Sequence, residues 1–331
     1  MKILVTGGAG YIGSHTCVEL LNKGNDLIII DNFFNSNSKV LENIKKITNK
    51  ELKFYLGDVC NKELLKKIFL ENKIDAVIHF AGYKAVGESV KKPLMYYNNN
   101  LLSTITLCEV MSEFNCKKLV FSSSATVYGD PNHLPINEDF PLSTTNPYGT
   151  TKLMNENILK DVCTADKDFS VVILRYFNPI GAHKSGLIGE NPNGIPNNLM
   201  PYIVKVANKE LDVLSVFGND YDTKDGTGVR DYIHVIDLAK GHIKALEKTI
   251  DKGIYYYNLG TGIGYSVLDI INTFEAVNAV KVNYKIVNRR AGDIAACYAD
   301  PSKALKELGW KAELTINDMC KDAYNYVLKN R

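Results

Sequence analysis

The segment Thr6-Gly7-Gly8-Ala9-Gly10-Tyr11-Ile12-Gly13 constrains this chain more than any other. It follows a short apolar run, Lys2–Thr6, and opens a longer stretch of helical periodicity, Tyr11–Asn22. Gly7, Gly10 and Gly13 recur at every third residue. Such glycines allow a tight turn and a close approach of the backbone to a pyrophosphate. A helix opening there offers the anion free N–H groups and a favourable dipole. Glycines alone carry little weight. Strand, turn and helix in that order carry much more, because together they form the opening unit of a dinucleotide-binding sheet. The bland alternative is a tight turn with no ligand.

Downstream, short β-branched runs alternate with helical patterns. Leu27–Asp31, Phe54–Leu56, Ala76–Phe80, Lys118–Phe121 and Val171–Leu174 read as strands. Asn61–Glu71, with its Leu64, Leu65, Ile68, Phe69 stripe, reads as a helix. The strand runs are apolar throughout rather than alternating, as expected when both faces of a sheet are covered. The pattern predicts an α/β fold, a Rossmann-type doubly wound parallel sheet. Beyond residue 178 the texture changes. Asn178 to Asn198 is rich in Gly, Pro and Asn, and Gly218 to Gly228 is a second irregular loop. Leu199–Asn208 and roughly Ile316–Leu328 read as helices, and Ser266-x-x-Asp269 as a capping box opening another at Val267–Ala276. The expected division is a cofactor domain over 1–178 and a smaller mixed α/β substrate domain over 179–331, with some chain crossing back near 232–262.

Asp31 ends the second strand, 18 residues after Gly13. A carboxylate there accepts both hydroxyls of an adenosine ribose and repels a 2′-phosphate. The first basic residue after it is Lys39, so NAD is expected rather than NADP. Asp58 reads as an adenine contact or as a turn residue. Ser122-Ser123-Ser124 follows a strand, and Tyr148 and Lys152 come later at i and i+4, hence on one helical face. A free phenol is a poor base at neutral pH. A nearby ammonium and a positive nicotinamide ring favour the phenolate and bring its pKa toward the working range. Ser124 can hydrogen-bond the same substrate oxygen.

Several long motifs appear in one order: TGGAGYIGSHT from Thr6, HFAGYKAVGESV from His79, FSSSATVYG from Phe121 and PYGTTK from Pro147. LRYFNPIGAH from Leu174, GIPNNLMPY from Gly194 and GTGVRDYIHV from Gly226 complete them. On these the chain resembles the extended short-chain dehydrogenase/reductase family over essentially its whole length, and within it the branch that epimerises UDP-hexoses. The resemblance implies an isomerase of carbohydrate, specifically galactose, metabolism that inverts C4 of UDP-glucose and UDP-galactose through a 4-keto sugar, with tightly bound NAD. It implies Ser124, Tyr148 and Lys152 as the catalytic triad. It implies cofactor contacts at Gly7, Gly10, Tyr11, Ile12, Gly13, Asp31, Asn32, Asp58, Val59, Phe80, Ala81, Lys84, Asn99, Ser122 and Tyr176, besides Tyr148 and Lys152. For the UDP-sugar it implies Ser124, Phe177, Asn178, Asn198, Leu199, Phe217, Arg230, Arg290, Asp293 and Cys297. A homodimer is implied too, with helices near 91–114 and 147–162 as candidate faces.

Chemistry supports some of these assignments independently. A guanidinium at Arg230 or Arg290 suits a pyrophosphate, and Phe217 can stack on uracil. Each has a plainer reading: Arg230-Asp231 as a surface ion pair, Phe217 as core, Asp293 as a loop cap. Cys297 stands where restricted epimerases of the family carry a bulky Tyr, and the smaller side chain leaves room for an acetamido group at C2. UDP-N-acetylglucosamine and UDP-N-acetylgalactosamine are therefore expected substrates, unless Tyr298 fills the gap. The nearest rival is a nucleotide-sugar 4,6-dehydratase, which in this family carries a Thr-Asp-Glu where this chain has Ser124-Ala125-Thr126. The other is an NAD-sensing regulator without turnover.

The balance of charge, 39 Lys+Arg against 37 Asp+Glu, gives no reason to expect nucleic acid or an anionic membrane as partner. Seven widely spaced cysteines with no C-x-x-C fit reduced thiols in a cytoplasm. The six histidines suggest no metal triad, and His79, inside a strand, reads as a satisfied core group.

Overall fold

The computed structural model describes residues 1–192, 196, 198–290 and 292–330. Part of the GIPNNLMPY motif (Gly194, Ile195 and Asn197), together with Ala291, lies outside the described residues.

The chain begins β1 (Lys2–Thr6), α1 (Tyr11–Asn22), β2 (Asp26–Asp31), α2 (Lys39–Thr48), β3 (Lys53–Leu56), α3 (Lys62–Glu71) and β4 (Ala76–His79). It continues α4 (Val86–Lys91), α5 (Pro93–Glu113), β5 (Lys118–Ser122), α6 (Pro147–Ala165) and β6 (Ser170–Tyr176). Next come β7 (Asn178–Ile180), α7 (Leu199–Ala207), β8 (Leu214–Phe217), β9 (Val229–His234), α8 (Val235–Lys248) and β10 (Gly253–Leu259). The chain ends β11 (Gly264–Ser266), α9 (Val267–Asn278), β12 (Tyr284–Val287), β13 (Ala296–Cys297), α10 (Ser302–Leu308) and α11 (Ile316–Lys329).

Seven strands form one parallel sheet in the order β10-β6-β5-β4-β1-β2-β3. Successive side chains of each strand enter opposite layers, which is why the runs are apolar throughout. Ile3, Val5 and Ile29 pack with Cys17, Leu20 and Leu21 of α1 and Leu238, Ile243 and Leu246 of α8. Leu4, Ile28 and Ile30 pack with Leu65, Ile68 and Phe69 of α3, Leu107 and Met111 of α5 and Leu159 of α6. The strand order reverses direction between β1 and β4, and a crevice opens at the carboxyl ends of strands at such a switch point.

The second half contains short strands that the sequence pattern does not announce. β11, β9 and β13 form a small sheet with β7 on the other side of β9, and β12 pairs β8. Their core is Met200 and Ile203 of α7, Phe274 of α9 and Met319 and Tyr324 of α11. Ser266 and Asp269 do form a reciprocal capping box on α9. The chain between the two sheets is continuous: β6 runs through Phe177 into β7, and β9 leads by α8 back to β10 at the edge of the large sheet. No described helix is long and apolar enough to cross a membrane.

Candidate active site

A cleft of about 1380 Å³, its open mouth included, lies at the switch point. Gly7, Gly10, Tyr11, Ile12 and Gly13 line one end, with Asp31 and Asn32 from the tip of β2 and Asp58 and Val59 beyond β3. Phe80, Ala81 and Lys84 follow β4, and Asn99, Tyr148, Lys152 and Tyr176 complete the predicted set. Ser122 is not in the lining. It stands behind it, where Oγ donates to the Tyr176 hydroxyl at 3.0 Å and the carbonyl accepts from Lys152 Nζ at 2.6 Å.

The turn needs its glycines for identifiable reasons. Gly7 has φ +69°, and a Cβ there would stand 2.9 Å from the Ala81 nitrogen. A Cβ on Gly13 would stand 2.3 Å from the Gly7 carbonyl oxygen. The N-cap of α1 is Gly10, and no side chain caps the helix. This end of the cleft thus offers an anion a bare helix terminus. Asp31 accepts from Ala9 N at 3.0 Å, Phe33 N at 2.8 Å and Ser36 Oγ at 3.1 Å. Three donors fix the carboxylate and leave part of its acceptor capacity free toward the cleft. Asp58 has the turn role and also faces the cleft. It bonds Cys60 N as a turn residue does, and it lines the cleft while accepting from Asn32 Nδ2. These residues fit a dinucleotide.

At the other end, Asn146 caps α6 by accepting from Gly149 N at 2.9 Å, and Pro147 occupies the first turn. The helix therefore starts one residue before Tyr148 and brings Tyr148 and Lys152 to the cleft, both nearly buried. Ser124 Oγ accepts from Thr126 N at 3.2 Å and is hydrogen-bonded with Tyr148. Protein groups alone do not lower the pKa of Tyr148: burial raises it, Tyr176 and Tyr96 add to that, and only the bond with Ser124 opposes them. Lys152 Nζ is committed to the Ser122 carbonyl, 4.9 Å above the Phe121 ring, and burial brings its pKa down to about 8.

The residues expected at the UDP-sugar do not line this cleft. Phe217, at the end of β8, is 41% exposed and lies 5.3 Å below the Arg290 guanidinium, so it is not core. Arg290 donates to both carboxylate oxygens of Asp293, at 3.0 and 3.2 Å. Arg230 pairs with Cys297 across β9 and β13, and it makes no ion pair with Asp231. Asp231 is instead buried and accepts from Thr261, Gly262 and Ala299. Phe177 is buried, Asn178 opens β7 and Leu199 opens α7. Asn198 Nδ2 donates to Glu190 Oε1, which also accepts from Lys84 and so links this group to the cleft. Cys297 packs against a buried cluster that contains Val127 and Phe177, and Ala125 and Leu153, neighbours in sequence of Ser124 and Lys152, pack against the same cluster. The Tyr298 ring instead lies against Gly264, where a Cβ would stand 3.0 Å from its Cδ1.

Sequence reasoning missed Phe34, Tyr83, Ser103, Glu190 and Tyr326 of the cleft lining. Tyr83 lies inside a quoted motif, whereas Glu190 and Tyr326 arrive from distant parts of the chain and carry no local signal. His79 is a core group: it bonds Thr6 Oγ1 at 2.7 Å and Thr104 Oγ1 at 3.3 Å, and burial holds its pKa down to about 3. Among the described residues no three His, Cys, Asp or Glu side chains are grouped to hold a metal ion.

A family profile described as GDP-mannose 4,6 dehydratase matches residues 4–323. UDP-glucose 4-epimerase of Bacillus subtilis (strain 168) is 61% identical over 331 residues, covering 100% of this chain and 98% of its own. That of Haemophilus influenzae (strain ATCC 51907 / DSM 11121 / KW20 / Rd) is 60% identical over 332 residues, covering 100% and 98%. The crystal structure of UDP-glucose 4-epimerase from Bifidobacterium longum in complex with NAD+ and UDP superimposes with TM-score 0.97 at 59% identity, covering 100% of this chain and 99% of that one. At this similarity over full length, the chain belongs to the UDP-glucose 4-epimerase family of the extended short-chain dehydrogenases/reductases.

Proposed function

We propose that this chain interconverts UDP-glucose and UDP-galactose by reversible inversion at C4 through a 4-keto sugar. The observation that carries the reading is one cleft with a bare helix terminus at one end and Tyr148, Lys152 and the adjoining Ser124 at the other. NAD, when bound, supplies a reversible hydride acceptor and, oxidised, a positive charge that favours the Tyr148 phenolate. The α1 terminus holds its pyrophosphate and Asp31 its adenosine ribose. Tyr148 takes the proton of the 4-hydroxyl and returns it to the same oxygen after the sugar has turned. Ser124 donates to that oxygen. Lys152 keeps an ammonium against the phenolate.

Inversion requires the keto sugar to present both faces to one cofactor, so the UDP must be gripped and the sugar must not be. Asn178, Asn198, Leu199, Phe217, Arg230, Arg290 and Asp293 hold the UDP, and Phe177 and Cys297 face the sugar. Cys297 leaves room at C2, so the N-acetylated pair turns over as well. Its packing against the same buried cluster as Ala125 and Leu153, with Tyr298 turned toward Gly264, supports this. Residues 1–178 serve the cofactor and 179–331 the UDP-sugar. The enzyme works in the cytoplasm as a homodimer, with exposed Leu94, Leu102 and Ile105 of α5 and Met154 of α6 as its apolar face. The matched family profile favours 4,6-dehydration as a second reading. That reaction lacks its carboxylic acid at Ser124-Ala125-Thr126.

Purified protein incubated with UDP-galactose and no added NAD should form UDP-glucose. Tyr148→Phe should lower kcat about 10²- to 10⁴-fold while keeping bound NAD. No conversion by the wild type even with NAD added, or near-normal turnover by the variant, would refute the reading.

A further inference from the structure

Four residues beyond Lys152 on the same face of α6 comes Glu156, 2% exposed. Its carboxylate is held by two groups. Arg175 donates Nε at 3.1 and 3.2 Å and Nη2 at 2.7 Å, and Ser123 donates Oγ at 2.5 Å. A buried ion pair is a weak source of net stability, because desolvation offsets the attraction. Its effect here is on geometry and field. Side chains alternate along a strand. Ser122 and Tyr176 meet each other on one face of the β5–β6 pair, and Ser123 and Arg175 meet Glu156 on the other. Glu156 therefore grips from behind the strand end whose next residue is Ser124. Arg175 extends the grip: Nη1 donates to the Tyr128 hydroxyl, which donates to Asn258 Oδ1. Asn258 Nδ2 in turn donates to the Ile136 carbonyl, and Ile136 N donates to the Tyr298 carbonyl, next to Cys297.

We infer that Glu156 is a positioning residue of the reaction: locked by Arg175 and Ser123, its carboxylate fixes the strand end that carries Ser124 and is the buried counter-charge of the Lys152 ammonium. This rests on the role proposed for Lys152 beside Tyr148. Among the described residues, the other titratable groups that interact with Tyr148, Lys152 or Glu156 include Arg175 and Tyr176 from β6, Tyr256 from β10, Tyr128 after β5, His79 from β4 and Tyr96 from α5, which in turn holds Glu88 of α4. His79 is held neutral by burial, and burial raises all four tyrosines. Glu88 is occupied by Tyr96 and Lys92. Among these groups Glu156 is the charge that acts on Lys152, and Arg175 acts in turn on Glu156. Burial lowers the pKa of Lys152, and Glu156 is the group that opposes it.

The test is a pair of charge variants with opposite expected signs, assayed as the holoenzyme on UDP-galactose across pH. The reaction needs Lys152 protonated, so activity falls as pH rises through its pKa. Glu156→Gln removes the counter-charge and should move that alkaline limb of kcat down by about 0.5 to 1 unit. Arg175→Met leaves Glu156 uncompensated and should move it up. The ¹³Cε shift of Lys152, assigned with Lys152→Arg, should titrate in the same two directions without turnover. Ser123→Ala leaves both charges in place. It should lower kcat about two- to tenfold at unchanged KM, with the limb where it was. Limbs that stay put, or move the same way in both charge variants, overturn the electrostatic role. An unchanged kcat in Ser123→Ala, which does not depend on the charge variants folding, overturns the positioning role. A wild type that does not turn over would instead defeat the proposed function itself.

Discussion

Gly13→Ala puts the cofactor end of the cleft to a quantitative test. The added methyl would stand 2.3 Å from the Gly7 carbonyl oxygen and 2.9 Å from Gly8 Cα, both backbone atoms that cannot rotate away. Restoring ordinary contact requires α1 to withdraw from the turn by about 1 Å, an overpacking that costs about 1–3 kcal/mol. At about 2.1 cal/mol/K per residue, unfolding this 331-residue chain changes entropy by about 0.7 kcal/mol/K, so Tm should fall by about 1.5–4 °C. The withdrawal also pulls the first-turn N–H groups off the pyrophosphate. Charge-assisted bonds of about 1.5–3 kcal/mol are at stake, so NAD affinity should fall about 10- to 100-fold. Lost cofactor lowers Tm by mass action as well, so scans in saturating NAD isolate the strain. Gly87 is the control. It lies in α4, where an added methyl would meet nothing within 4 Å, and Gly87→Ala should stabilise by about 0.5–1 kcal/mol. The assays are NAD released per mole of protein and differential scanning. Wild-type NAD content together with a Tm within a degree of wild type in Gly13→Ala would refute the argument.

Cys297→Tyr should cut turnover of the N-acetylated UDP-sugars about 5- to 150-fold, the range set by an overpacking of about 1–3 kcal/mol, and leave the plain pair within about threefold. Equal loss on both pairs, measured as kcat/KM, would sink the assignment. Acid should destabilise the fold well above the carboxylate range. Burial holds His15 and His79 at a pKa of about 3 and His242 at about 4. The unfolded chain binds these protons near pH 6.5 and the folded chain does not. Their contribution is therefore complete above about 6.5 and is lost as pH falls toward 4, at about 1.4 kcal/mol per unit for each histidine. Urea midpoints at pH 7, 6 and 5 in constant NAD would show it, and a flat series would contradict it.

The large sheet was legible because its runs are long, apolar and set between strong helical patterns. Lys2–Thr6, Tyr11–Asn22 and the capping box at Ser266 appear in the structure where the sequence places them. The strands of the second half were not legible, for a physical reason. β11 and β13 are three and two residues long and partly exposed, too short to show a period. β10, GIYYYNL, escaped because its partners are remote: it completes the large sheet only after a crossover from β9 through α8. The site divides the same way. Tyr148 and Lys152 announce themselves by spacing. Glu156 has that spacing too, but only the fold shows that it is buried and that Arg175 and Ser123 meet it. The direction of the Tyr148 pKa was not legible either, because sequence gives the neighbours of a phenol and not its burial.

Chain connectivity ties the second sheet to the sheet beside Tyr148 although no residue expected at the UDP-sugar lines the cleft. β6 carries Arg175 and Tyr176 at the cofactor sheet, and two residues later, at Asn178, the same run has entered β7 of the second sheet. β9, which pairs β7 on one side and β13 with Cys297 on the other, returns directly through α8 to β10 beside β6. Two covalent crossings through regular structure, and a third by the short loop from β10 to β11, tie the sheet that holds Cys297 to the sheet that leads to Ser124. A further, noncovalent link is Glu190 between Lys84 and Asn198. On the proposed reaction, these crossings would hold Cys297 and Tyr148 in fixed register while the sugar turns between them. The exposed Phe217–Arg290–Asp293 group lies outside this frame. If that group recognises the nucleotide as proposed, its adjustment would leave undisturbed the distance over which proton and hydride must move.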